Sequence, residues 1–294
     1  MRYVSRLTGK MIKFKNRAQY EAHLKELRDK GLLKIDRSRK LHKVTRSEHW
    51  NSQHDPLSVP IKRYTNKPVP KPSGHVRQKI SLIHPSWGRP YMCKQCIYMW
   101  MDMFSEHNDL EYILSLDTDD AKAYLPVIRD LVGKLDLKVV IYPNANMVHA
   151  LNNAAKLASG DVLIYVSDDF ECFDNYDLAI QKAVGKETDW ALFVYDGVRD
   201  DDVQTISILS KEYYDRFGYI YYPEYTSMWA DPDYTEMAKR TGKVIDAMYL
   251  TFQHRHFIPG AFYDATYQRQ DSPVAWDHGE KLFYKRAEEN FGVK

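Results

Sequence analysis

From about residue 76 onward the chain alternates between short apolar runs and longer stretches with helical spacing. Ile80-Ser81-Leu82-Ile83-His84-Pro85 is an apolar run closed by the loop Ser86-Trp87-Gly88-Arg89-Pro90, the pattern of a strand buried on both faces. Tyr91 to Phe104 follows, with aromatic and Met positions three and four apart, and predicts a helix. Glu111 to Leu116 reads as a second strand ending in Asp117-Thr118-Asp119-Asp120. Ala121 to Leu131 reads as a helix and Lys138 to Tyr142 as a third strand. An Asn-rich helix over 144–159 leads into Val162-Leu163-Ile164-Tyr165-Val166, which stops abruptly at Ser167-Asp168-Asp169. Helices are expected at Asp177–Val184, Lys211–Phe217 and Tyr234–Thr241, the last with Asp233 placed as its N-cap. Strands are expected at Ala191–Tyr195, Thr205–Leu209 and Val244–Leu250, with a His-rich loop after the last. Strands separated by helices of this length predict an α/β fold, a mostly parallel central sheet flanked by helices.

The first 75 residues follow a different pattern. Tyr20, His23, Leu24 and Leu27 share one helical face over 16–30, with Gly31 as the stop. A charged stretch, 34–49, and five prolines, Pro56, Pro60, Pro68, Pro70 and Pro72, come next. The expected organisation is a basic, partly helical N-terminal extension with a Pro-rich linker over 1–75, then one large domain over 76–294. No internal repeat is present.

Charge sharpens that division. The net formal charge is +2, yet residues 1–80 hold 21 Lys and Arg against 6 Asp and Glu, a net of +15, and the remainder carries −13. Such polarity, with Tyr3, Phe14, Tyr20 and Trp50 among the basic residues, suits contacts to nucleic-acid phosphates with occasional stacking on bases. It equally suits a basic arm folded against an acidic body. Three cysteines, no apolar run long enough to span a bilayer and no signal-peptide core predict a reduced, cytoplasmic protein without a transmembrane segment. Cys93-x-x-Cys96 lacks the second pair a four-thiolate zinc site needs, and its place in a helical aromatic stripe points to packing.

Two strand ends therefore carry acids, Asp117 at one and Asp168 with Asp169 at the other. Carboxylates at the carboxyl edge of an open sheet lie where such folds bind ligands. Together they can hold a divalent cation, and the cation a diphosphate. No phosphate-cradling glycine loop follows the first strand, which argues against ATPase and dinucleotide chemistry. Asp117 has the chemistry to accept from ribose hydroxyls or a uracil N–H. Asp119 and Asp120 read equally well as helix caps.

The order of Ile83 to Pro90, the Asp117 strand end, Asn144-Ala145-Asn146 and Asn152-Asn153-Ala154-Ala155-Lys156-Leu157-Ala158-Ser159-Gly160-Asp161 resembles the nucleotide-sugar half of a family 2-type glycosyltransferase of the GT-A fold. The resemblance covers roughly residues 78–260. It implies that Pro85, Arg89, Asp117, Asn146, Asn152 and Asp168 surround the nucleotide sugar, with Arg89 closing over the diphosphate. In that family the strand ends in an Asp-x-Asp or a degenerate form, and Ser167-Asp168-Asp169 takes that place. Metal binding would then lean on Asp169, with Asp168 nearer the sugar or a metal-bound water. A late histidine completes the metal site in several GT-A enzymes, which implies His256, with His254 behind it. Arg255 between them would alternatively meet the phosphates. Inverting members place a base at the start of a helix below the donor sugar. Asp231 matches best and Asp233 is the rival.

These implications add up to a UDP-sugar donor, Mg²⁺ or Mn²⁺ on its diphosphate, and a single displacement by a hydroxyl. The basic extension favours hydroxymethylated pyrimidine in DNA as the acceptor, a substrate class of phage enzymes, which would place the protein in the host cytoplasm. A glycosyltransferase of surface polysaccharide synthesis is the alternative. A non-catalytic, nucleic-acid-binding relative is a third reading, motivated by Ser167.

Overall fold

The computed structural model describes residues 2–4, 11–13, 74–199, 201–255 and 265–293. The helix expected over 16–30, the charged stretch, the proline strap and His256 lie outside the described residues. The chain divides into two units, Met1–Val59 and Pro60–Lys294. In the first, β1 (Arg2–Val4) and β2 (Met11–Lys13) form an antiparallel pair with Tyr3 opposite Ile12.

The second unit is built on a seven-stranded sheet. Its strands are β3 (Lys79–Ser86), β4 (Asp109–Asp117), β5 (Asp136–Tyr142), β6 (Val162–Tyr165), β8 (Ala191–Tyr195), β9 (Ile208–Ser210) and β10 (Val244–Thr251). Their order is β10-β8-β9-β6-β3-β4-β5. Only β9 runs against the others, pairing antiparallel with both β6 and β8. The α/β expectation of a mostly parallel sheet flanked by helices holds. A two-stranded antiparallel sheet, β7 (Phe170–Glu171) with β11 (Gln253–His254), stands apart from it.

Alternation along each strand sends side chains to two cores. Ile80 and Leu82 of β3 join Tyr112, Leu114 and Leu116 of β4 beneath α1 (Pro90–Asp102), α2 (Leu125–Leu131) and α4 (Tyr176–Val184). Ile83, Ile113 and Leu163 turn the other way. They pack beneath α3 (Met147–Ala155), α5 (Lys211–Phe217), α6 (Ala230–Thr241) and α8 (Pro273–Glu288). Burial on both faces explains why these strands read as unbroken apolar runs. Gly160 lets the turn before β6 lie against β3: a Cβ there would stand 2.6 Å from Ser81 Oγ and 2.7 Å from the Lys79 carbonyl.

Three departures from the sequence reading have local causes. The helix expected over Ala121–Leu131 is a 3₁₀ turn, Ala121–Tyr124, followed by α2, because Pro126 is tolerated only in the first turn of an α-helix. The Asn-rich helix is shorter, since Asn146 leaves helical geometry to accept from the His149 N–H as N-cap. The helix expected from Tyr234 begins four residues earlier, at Ala230. Asp233 is thus inside α6 and not its cap. The sequence reading also placed no elements after residue 260, where α7 (Ala265–Gln270) and α8 form.

Candidate functional site

All parallel strands end on one edge, so β3, β4 and β6 deliver Ser86, Asp117 and the turn Ser167–Phe170 together. Within that turn the two adjacent carboxylates diverge. The Asp168 side chain points inward, where it accepts from His84 Nε2 at 2.9 Å and from Ser86 Oγ at 2.9 and 3.0 Å. The resemblance implied a place for Asp168 nearer the sugar or a metal-bound water; in the structure these two buried donors hold its carboxylate. Asp169 faces the other way and meets Ser167 Oγ at 2.6 Å, Tyr267 OH at 2.7 Å, His254 Nε2 at 3.6 Å and Arg89 Nη1 at 3.7 Å. Burial pushes the Asp169 carboxyl up, but His254, Ser167 and Arg89 outweigh it and hold the group well below the usual carboxylate range.

The small sheet supplies His254. Pairing of His254 with Phe170 across β11 and β7 stacks the imidazole on the Phe170 ring at 4.2 Å, beside Asp169. Arg255 donates its backbone N–H to the Asp169 carbonyl, while its guanidinium pairs with Glu171.

A cavity of about 420 Å³ opens beside this turn, lined by Pro85, Trp87, Asp117, Asn146, Thr226, Arg269 and His278 among others. Asp117 is buried at its mouth, accepting from Asn144 Nδ2 at 2.9 Å and Arg269 Nη1 at 3.1 Å. Arg269 also stacks over the Trp87 ring at 4.7 Å. Asn152 lies elsewhere. Its side chain clamps the 220–221 backbone, accepting from the Ile220 N–H and donating to the Tyr221 carbonyl, which leaves no amide group for a nucleotide.

Across the cleft, Asp231 sits in the first turn of α6. Trp229 enters that helix with φ of 73°, a left-handed conformation costly for a bulky residue. Burial raises the Asp231 carboxyl to about 6, against opposing pulls from Arg199 and His254. The residue as a whole is half-buried, and protein surrounds its carboxyl group. Asp233, two residues on, turns into the protein. It accepts from Arg286 Nε and Tyr225 OH, both at 3.1 Å, and burial pushes its carboxyl pKa up as well. Asp233 thus bears on α8, whose Gly279 lies against the corner before Asp231; a Cβ there would stand 2.3 Å from the Met228 carbonyl oxygen.

Two groupings test the fit of a divalent cation. His84, Cys93 and Asp168 bring one candidate ligand atom each within 4.8 Å of one another. Both His84 nitrogens, however, are engaged by Asp168 and Tyr112, and burial pushes the Cys93 thiol far up, keeping it protonated. Asp169 and His254 offer an ionised carboxylate and an imidazole side by side at the strand edge, a donor set that suits Mg²⁺ or Mn²⁺. The second pair fits.

The structure therefore brings Asp169, His254, Arg89 and Asp231 to one region and sets Pro85, Asp117 and Asn146 along the cavity. Asp168, Asn152 and Asp233 turn away from it. Sequence reasoning missed Tyr267, Arg269, His84 and Arg199. The Ser272-Pro273 pair, an N-cap followed by proline at the first helical position, signalled α8. His84 stood inside a quoted motif without an assigned partner.

No family model and no curated protein sequence matches the chain. Solved structures do. A mannosyltransferase, PcManGT from Pyrobaculum calidifontis, in complex with GDP-Man and Mn²⁺, is 13% identical over 61% of this chain and 57% of that one, with a TM-score of 0.50. S. aureus TarS 1–349 in complex with UDP is 15% identical over 74% and 72%, with a TM-score of 0.52. The same protein with UDP-GlcNAc is 16% identical over 63% and 61%, at 0.51. The chain thus spans under three fifths of the mannosyltransferase it matches. At such identity the likeness is one of fold, a GT-A-like α/β architecture. No described helix is long and apolar enough to cross a membrane.

Proposed function

We propose that the chain is a divalent-cation-dependent glycosyltransferase, moving a sugar from a nucleotide-sugar donor to a hydroxyl acceptor with inversion. One observation carries this reading: two carboxylates enclosed by protein share His254 and Tyr165 as neighbours but have their pKa values driven apart, that of Asp169 down and that of Asp231 up. Environments that separate two such groups assign their roles. Asp169 stays ionised at any working pH, and Asp231 is poised to take a proton near neutrality.

Asp169 and His254 would hold Mg²⁺ or Mn²⁺, which when bound neutralises charge on the departing diphosphate. Arg89, 3.7 Å from Asp169, adds a second positive group facing the same phosphates. Asp117 and the Trp87 side of the cavity take the nucleoside, with UDP the favoured nucleotide because two of the similar structures carry UDP or UDP-GlcNAc. The acceptor hydroxyl gives its proton to the Asp231 carboxylate as its oxygen attacks the anomeric carbon. Ser167, which departs from the family's acid, donates to Asp169 and orients it, so its presence does not argue for an inactive scaffold.

For the acceptor we favour a saccharide or surface-polymer hydroxyl: the structures of similar fold are bound to GDP-Man, UDP and UDP-GlcNAc and none of them to nucleic acid. Hydroxymethylpyrimidine DNA is a second reading, favoured by the +15 charge of residues 1–80 alone.

The test is nucleotide release from a panel of UDP- and GDP-sugars, with mass spectrometry of oligosaccharide and hydroxymethylpyrimidine-DNA acceptors. Release that requires Mn²⁺ or Mg²⁺, stops with chelator and is lost in Asp169→Asn is expected. Failure of every nucleotide to bind in a metal-dependent manner ends the reading. Sugar added to DNA alone would reverse the choice of acceptor.

A further inference from the structure

The sequence sets Asp168 and Asp169 side by side at one strand end, and the geometry separates them. We propose that Asp168 is a buried anchor for the metal-binding turn, not a ligand, and that His84 is the residue that positions it. The inference rests on the assignment of Asp169 as the metal carboxylate.

One proton arrangement satisfies every contact around Asp168. His84 Nε2–H donates to Asp168 Oδ1 at 2.9 Å, which leaves Nδ1 to accept from Tyr112 OH at 2.7 Å. Ser86 Oγ–H donates to Asp168, and the Tyr124 hydroxyl donates to Ser86 at 2.9 Å. The Arg89 backbone N–H in turn donates to Tyr124 OH at 3.1 Å. The chain thus runs from β4, through β3 and the turn, to the residue whose guanidinium faces Asp169. With His84 and Ser86 almost wholly buried, breaking any link strands a polar group away from water.

The same turn is held from beneath by α1. Cys96 Sγ–H donates to the Ser167 carbonyl at 3.3 Å, and Trp100 Nε1–H to the Phe170 carbonyl at 3.2 Å. This gives the Cys-x-x-Cys helix a task that neither zinc nor redox chemistry requires. A carboxylate tied on one side and carbonyls tied on the other fix the turn's rotation. That rotation aims the next side chain, Asp169, at His254. Groups one shell behind a ligand tune affinity without touching the ion.

The experiment compares Asp169→Asn, Asp168→Asn, His84→Gln, Ser86→Ala and the double variant His84→Gln/Asp168→Asn. Mn²⁺ affinity is read by electron paramagnetic resonance, nucleotide affinity by calorimetry, and amide exchange at 167–170 in metal-free protein. An anchor predicts roughly tenfold weaker Mn²⁺ binding in Asp168→Asn. A smaller loss in His84→Gln follows, because a glutamine amide still donates. The double variant should be no worse than Asp168→Asn alone, and exchange at 167–170 should rise in each. Asp169→Asn should abolish Mn²⁺ binding. Ser86→Ala, the mildest change, keeps the test open should a His84 variant fail to fold. The proposal is overturned if Asp168→Asn matches Asp169→Asn while His84→Gln and Ser86→Ala leave Mn²⁺ affinity and exchange unchanged. Faster exchange in the variants, combined with no metal-dependent nucleotide binding even in the unmodified protein, would uphold the anchor and remove the glycosyltransferase reading instead.

Discussion

The donor edge and the acceptor rim of the cleft are built in different ways. At the donor edge, parallel strands end in turns whose carboxylates are met by donors, from His84 behind Asp168 to Ser167, Tyr267 and Arg89 around Asp169. At the acceptor rim, α6 begins through the left-handed Trp229, whose indole N–H is buried without a hydrogen-bond partner among the described residues. Asp231 has no hydrogen-bonded side-chain partner among the described residues. The contrast teaches that a carboxylate surrounded with donors is held charged, while one deprived of them is left able to exchange a proton.

The strongest challenge to that contrast is Asp231→Asn. Transfer is expected to fall by about 10² to 10⁴-fold, the usual contribution of a positioned base, with nucleotide affinity retained in calorimetry. Full turnover would remove Asp231 from the chemistry. Asp233→Asn separates the neighbours. It breaks a buried ion pair with Arg286 and should lower stability by roughly 3 kcal/mol in denaturant titration, with metal-dependent nucleotide binding preserved in the fraction that folds. Equal stability of the variant and the parent protein would mean the pair contributes nothing.

A gentler probe is pH. The base works ionised, so with Asp231 near 6 the rate should be flat above about pH 7 and fall tenfold per unit below 6. An acidic limb near pH 4 would show that burial does not shift this group. The smallest effect is on stability. The folded-state value lies above the unfolded value, so protonation favours the fold and stability declines as pH rises from about 4 to 6. Asp231→Asn abolishes that loss and should raise the melting temperature by a few degrees at pH 8, but not at pH 3.

Much of the donor edge was legible because it depends on local pattern. The strand Ala191–Tyr195 and the helix Lys211–Phe217 form over the residues their periodicity marks. The stop of an apolar run at two acids marked the site. The acceptor rim was less legible, because tertiary packing overrode local signals. Asp233 before Tyr234 looked like a cap, yet α8 offers it Arg286, and Pro232 is tolerated in the first turn of a helix that starts at Ala230. Which of Asp168 and Asp169 faces the cleft could not be read from adjacency either. That depends on His84 and Ser86, more than 80 residues away in sequence and brought beneath the turn by β3–β6 pairing. Arg269 and Tyr267 reach the site from 152 and 98 residues away, a separation no sequence window records.

The missing Cβ at Gly279 gives the carboxyl-terminal helix a bearing on a residue far upstream. Because α8 rests directly on the carbonyl of Met228, even a methyl group there would push on the Trp229 bend that aims Asp231. A polypeptide ending at residue 272 would keep every sheet strand but lose that buttress, leaving Asp169 and His254 side by side while Asp231 drifts out of line.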